Sequence, residues 1–343
     1  MRIDAPGQSL RALAEKRGIR IGAAVAVRPL RDDPVYRELL AREFNIVTSE
    51  NALKFAPLRP TRERFDFSGA DEIVAFARDH AMQVRGHTLV WHQALPAWLT
   101  NGNFGRDELT AILKDHIATV VGRYRGQIGA WDVVNEAVAR DGSMRDTFWR
   151  RAVGDEYLEV VFRWAHEADP QARLFYNDFD GEGLNQKAGA IYNLVKGLLN
   201  RGVPVHGVGL QMHIGLDAYP QPQHVAANIN RLAALGLEVH ITEMDVKIQN
   251  GTGTMEERLA AQARIYRDML KACLQASNFK AFVMWGVTDR YSWIPRHTGK
   301  PDAPLILDES ARPKPAYHAL LHVLGGQSSQ PRAAVPHPGH SLR

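Results

Sequence analysis

A chain of 343 residues with 45% hydrophobic and 23% charged residues is long enough to bury a core without staples and too apolar for a disordered polymer. Its formal net charge is only +4, and its basic residues interleave with acids, so no stripe marks a nucleic-acid footprint. The single cysteine, Cys273, excludes an intrachain disulfide, and no run approaches the ~20 apolar residues that span a bilayer.

The N-terminal stretch MRIDAPGQSLRALAEKRG has no apolar segment of the signal-peptide kind. As written, the chain is expected to be soluble and cytoplasmic, with no membrane or nucleic-acid partner; an upstream segment would make it secreted or periplasmic. An opening helix is predicted over Ser9–Arg17, with Gly18 as its C-cap. The first apolar run, IRIGAAV (19–25), follows at once. FNIVTSE (44–50), MQVRGHTLVW (82–91) and IGAWDVVNE (128–136) come next. Between the third and fourth lies an amphipathic pattern of Leu109, Ile112, Leu113, Ile117, Val120 and Val121. ARLFYNDF (172–179) is followed by a helical pattern of Ile191, Leu194, Val195 and Leu198. The last runs are VHGVGLQMH (205–213), EVHITEMDV (238–246) and KAFVMWGVTD (280–289). Before the final run, Leu259, Ala263, Tyr266, Leu270 and Cys273 recur at helical spacing, which makes Cys273 a small buried hydrophobe. The apolar runs lack strict alternation, as strands buried on both faces do.

Eight β-then-α units predict the α/β class and a single (β/α)8 TIM barrel. A doubly wound open sheet is the structural rival, but no G-x-G-x-x-G follows a strand. Residues 1–325 are expected to form one catalytic domain. Residues 326–343, rich in Pro, Ser and Gly, are expected to be a disordered tail. A monomer is expected.

Barrels carry their chemistry at the C-terminal ends of the strands. There the sequence places Glu50 and Asn51 (strand 2), His87, Trp91 and His92 (strand 3), and Asn135 and Glu136 (strand 4). Tyr176, Asn177 and Asp178 close strand 5, Gln211 and His213 strand 6, Glu243 and Asp245 strand 7, and Trp285 strand 8. Acids, amides and imidazoles match the donor and acceptor hydroxyls of a sugar, and tryptophans match its C–H faces. Two carboxylates facing one another across a barrel mouth are what glycosidic cleavage needs. Three rivals are a metal-dependent hydrolase using His87, His92, His213, His240 and Asp245, a sugar-binding barrel without catalysis, and a glycosidase for cellulose or mannan. The first lacks the usual H-x-H pair on strand 1. Trp98, Trp149 and Trp164 fit packing roles, as do His92 and His240.

From about Ser9 to Gly325 the chain resembles the glycoside hydrolase family 10 xylanases. The resemblance is carried by TSENALK (48–54), RGHTLVWH (85–92), WDVVNEA (131–137), FYNDF (175–179), QMH (211–213), HITEMDV (240–246) and WGVTDRYSWI (285–294). It implies a retaining endo-β-1,4-xylanase acting on xylan or xylo-oligosaccharides, with no cofactor and no metal. It implies Glu136 as acid/base and Glu243 as nucleophile. Asn135 would hold the 2-hydroxyl of the cleaved sugar, and Glu50, Asn51 and Lys54 would grip the next sugar on the non-reducing side. His87, Trp91, Gln211, His213, Trp285 and Trp293 would wall the cleaved residue, and Tyr176 would supply an aromatic on the leaving-group side. Many members carry glutamine where this chain has Ala94, so a hydrogen bond near the second sugar is missing. Glu243 needs donors that favour its charged form; His213, oriented by Asp245 in a supporting role, is the expected one, with Gln211 close to the Glu136 carboxyl. Retention implies carboxyls about 5–5.5 Å apart.

Overall fold

The computed structural model describes residues 9–326. Eight parallel strands form a ring: β1 (Arg20–Val25), β2 (Ile46–Ser49), β3 (Gln83–Val90), β4 (Ala130–Asn135), β5 (Arg173–Asp178), β6 (Gly207–Leu210), β7 (Glu238–Lys247) and β8 (Phe279–Met284). Each strand pairs with its sequence neighbour, and one further pairing closes the circle. There β8 returns to β1, with Ile21 opposite Phe282; β6 and β7 pair as neighbours, with Val208 opposite Val239. Helices lie between the strands, so the chain is a single (β/α)8 barrel, as its pattern predicts.

The strands bury both faces because helices cover them from outside and the barrel interior fills from within. Helix Arg106–Arg123 presents Ile112, Leu113, Ile117, Val120 and Val121 to the strands, and helix Gln186–Asn200 presents Ile191, Val195 and Leu198. Cys273 is buried at the end of helix Met255–Cys273, where burial pushes its thiol pKa up. Trp149 is buried and Trp98 and Trp164 are partly buried against the same core. No helix of the described residues is long and apolar enough to cross a membrane.

Two strands end earlier than their apolar runs. The 205–213 run leaves the ladder after Leu210 because Met212 turns to φ 65° and gives its N–H to Glu182 Oε1 at 2.9 Å. His213–Gly215 then resumes as a short strand beside β7. The 280–289 run stops at Met284, and Gly286 follows at φ 141°, a conformation that L side chains rarely adopt.

The barrel interior carries a charged layer. Arg85, fully buried, donates to both oxygens of Asp132 and lies 2.7 Å from His240 Nδ1, with its guanidinium over the Phe175 ring. Burial, helped by the Arg85 charge, holds the His240 pKa well below its ordinary value, so His240 is neutral and its Nδ1 accepts. Removing one partner of such a buried pair typically costs about 3–5 kcal/mol.

The first and last helices meet beneath this layer. Ser9 caps helix Leu10–Lys16, and Gly18 follows it at φ 67°. The buried Glu43 carboxylate accepts from Leu10 N (3.1 Å) and from Tyr317 Oη (2.9 Å). Arg17 donates to the carbonyls of Val323 and Leu324 at the end of helix Pro315–Gly325. Gly326, at φ 73°, caps that helix; residues 327–343 of the expected tail lie outside the described residues.

Candidate active site

The C-terminal ends of the strands bring Glu136 and Glu243 to one mouth, and irregularities in two strands aim them. In β7 one extra residue lies between Ile241, opposite Phe282, and Met244, opposite Met284. Strict alternation would send Thr242 and Glu243 to opposite faces; the bulge lets both reach Asn177. Thr242 Oγ1 donates to Asn177 Oδ1 (2.8 Å), and Asn177 Nδ2 donates to Glu243 Oε1 (2.7 Å). Just past β4, Glu136 takes φ 60°, a left-handed conformation costing a non-glycine residue roughly 1–2 kcal/mol.

An amide bridge joins the two carboxylates. Asn177 Nδ2 also lies 2.8 Å from Asn135 Oδ1, and Asn135 Nδ2 donates to Glu136 Oε1 at 3.3 Å. Gln211 Nε2 donates to the same Glu136 oxygen at 3.1 Å, and Trp91 Nε1 donates to the other at 3.1 Å. Sequence reasoning located Asn177 at the end of strand 5 but gave it no role. Its signals were its position at a strand end and its place in FYNDF.

His213 sits between two acids. Its Nε2 is 3.1 Å from Glu243 Oε2 and its Nδ1 is 2.8 Å from Asp245 Oδ2, so hydrogen-bonding both carboxylates requires protons on both nitrogens. Burial works against that charge, but the Asp245 and Glu243 carboxylates outweigh it and push the His213 pKa up to about 10. The same contact acts in reverse on Glu243. Burial alone would raise its pKa; the His213 hydrogen bond, the nearby His87 and Asn177 hold it below the usual carboxylate value. Trp293 Nε1 donates to Asp245 Oδ2 at 2.9 Å, and Trp285 stands edge-on to His87 and His213. His87 Nδ1 is 3.0 Å from Asp132 and 3.9 Å from Glu243.

Replacing His213 with glutamine is expected to raise the Glu243 pKa, because a neutral donor replaces a cation. The acidic limb of the kcat/KM profile then moves to higher pH. An acidic limb that stays in place would detach it from Glu243.

Glu50, Asn51 and Lys54 form a half-exposed arm beside this centre. Lys54 Nζ donates to Asn51 Oδ1 (2.9 Å) and stands over the Trp91 ring, and Asn51 Nδ2 donates to Glu50 Oε1 (3.2 Å). Asn51 thus links Glu50 to Lys54. Burial raises the Glu50 pKa against the opposing charge of Lys54, and burial lowers that of Lys54 against the charges of Glu243, Glu50 and Glu136. Among the described residues no group of three or more His, Cys, Asp or Glu is arranged to hold a metal ion.

The model of glycosyl hydrolase family 10 matches residues 9–323. The chain belongs to that family. It is 43% identical over 317 residues to endo-1,4-beta-xylanase B of Thermotoga neapolitana, covering 92% of this chain and 91% of that one. It is 38% identical over 331 residues to exoglucanase XynX of Acetivibrio thermocellus, covering 92% of this chain but 29% of that one. The crystal structure of xylanase 10B from Thermotoga petrophila in complex with xylobiose superposes with a TM-score of 0.90 at 42% identity, covering 95% of this chain and 99% of that one.

One position of this family 10 chain departs from its sequence-based assignment. Tyr176 does not face the cleft: its ring is 0% exposed and its hydroxyl is spent on backbone groups and Asp178. Alternation along β5 turns it away from the mouth, toward the turn after β4. The accessible aromatic at that strand end is Phe179, half-buried, with Lys187 Nζ 3.5 Å and Arg140 5.3 Å from its ring centroid. Ala94 adopts φ 52° and its carbonyl accepts from Ala56 N, while Gln93 is exposed.

Proposed function

We propose that this family 10 enzyme cleaves internal β-1,4-xylosidic bonds of xylan by double displacement, with Glu243 as nucleophile and Glu136 as acid/base. The observation that carries the division of roles is the asymmetry of their donors. Glu243 faces a cationic His213 that favours its charged, attacking form. Glu136 meets only the neutral donors Trp91, Asn135 and Gln211. Glu243 attacks the anomeric carbon while Glu136 gives its proton to the leaving oxygen. Glu136 then takes a proton from the water that releases the sugar.

In this reading Asn135 binds the 2-hydroxyl of the cleaved sugar, Glu50, Asn51 and Lys54 the next one toward the non-reducing end, and Phe179 the leaving side. His87, Trp91, Gln211, His213, Trp285 and Trp293 supply the walls. Residues 1–325 act as one catalytic unit, working as a monomer on xylan or xylo-oligosaccharides. The xylose preference is supported by the xylanase names of the relatives and by the solved structure that holds xylobiose. Trp285 and Trp293 lie beside His213, and in this reading they crowd the C6 hydroxymethyl that a hexose carries and a pentose lacks. The exoglucanase name of one relative keeps β-1,4-glucan as the second substrate to test. Digests of xylan, cellulose and mannan run side by side, with the anomer of the first products read by NMR, are expected to show xylo-oligosaccharides released as β-anomers. Release of α-anomers would overturn the mechanism, and faster release from cellulose the substrate.

A further inference from the structure

Glu136 does not hold its left-handed backbone unaided. Beneath it, the Tyr176 hydroxyl accepts the N–H groups of Ala137 and Val138, both at 3.1 Å, and donates to Asp178 Oδ2. Val138 N also donates to Asp178 Oδ2 at 3.3 Å, and the other Asp178 oxygen lies 2.7 Å from the buried Lys187 Nζ. From the opposite side Arg145 Nε donates to the Glu136 carbonyl (3.0 Å) and Arg145 Nη2 to that of Val138 (3.3 Å). Glu136 N donates to Asn177 O at 2.9 Å. The backbone on both sides of the Glu136 side chain is therefore tied down by groups that make no contact with its carboxyl.

We propose that Tyr176, anchored by Asp178 and assisted by Arg145, is a positioning residue for the acid/base: it fixes the turn after β4 so that the Glu136 carboxyl meets the leaving oxygen. This rests on Glu136 being the acid/base. A general acid displaced by about an ångström transfers its proton poorly. Such a defect appears only where the leaving group needs the proton. A generally loosened barrel would slow every substrate alike.

The test compares kcat/KM, which reports the first chemical step, for xylobiosides of phenol and of 2,4-dinitrophenol. Tyr176→Phe keeps the ring and removes the acceptor. Its kcat/KM is expected to fall ten- to a hundred-fold for the phenyl glycoside and less than two-fold for the dinitrophenyl glycoside. Arg145→Lys, which cannot bridge two carbonyls, is the second variant should Tyr176→Phe fail to fold, and the same split is expected of it. Glu136→Ala is the control. A leaving-group split in Glu136→Ala but equal losses in the other variants would overturn the positioning role. No split in Glu136→Ala itself would instead overturn its assignment as acid/base.

Discussion

Glu243→Gly is expected to lower kcat on xylan by about a million-fold, and azide is expected to restore turnover with an α-xylosyl azide as product. The size follows from removing the group that forms the covalent intermediate, whose loss leaves only binding and the remaining polarisation; single losses of this kind reach about 2 × 10⁶ in a well-studied hydrolase. The configuration follows from geometry. Without the side chain a small anion fits where the carboxylate stood, attacks the anomeric carbon once and inverts it. His213 and Asn177, which donate to the carboxylate at 3.1 and 2.7 Å, are left to hold the anion there. A β-azide from this variant would show that Glu243 is not the nucleophile.

Glu136→Ala is expected to cost about 10²–10⁴ in kcat/KM on xylan, the usual worth of a positioned general acid, and far less on dinitrophenyl glycosides. Here azide attacks the glycosyl-enzyme from the face opposite Glu243. The product is a β-azide, opposite to that of the Glu243 variant. The two variants therefore distinguish the two carboxylates by product configuration alone, whatever the absolute rates. Equal losses on good and poor leaving groups would remove Glu136 from the acid/base role.

The barrel was legible in the sequence because each strand is a short apolar run and each helix a periodic one. Both signals follow from burial on fixed faces. Glu136 and Glu243 were locatable for the same reason, since a strand end in a barrel is a position and not a shape. What the runs did not show was where alternation fails. The bulge that turns Glu243 beside Thr242 leaves no mark in HITEMDV, and Asn177 becomes visible only through it. Tyr176 was misplaced by the same kind of error: one residue along a strand is the difference between the mouth and the packing behind it, and Phe179 holds the accessible place. The break at Met212 depends on Glu182, 30 residues away in sequence. Such partners are chosen by folding, and no local pattern encodes them.

Glu43 ties Leu10 to Tyr317, and Arg17 ties the first helix to the carbonyls of Val323 and Leu324. The two ends of the described chain therefore lie side by side, at the entry of β1 and on the side of the barrel away from the glutamates. The described chain is nearly a loop in space, handled at one pole and open at the other. A support or a second module fused directly at Ser9 or Gly326 would be attached at the pole opposite the glutamates, leaving the rim to the polymer.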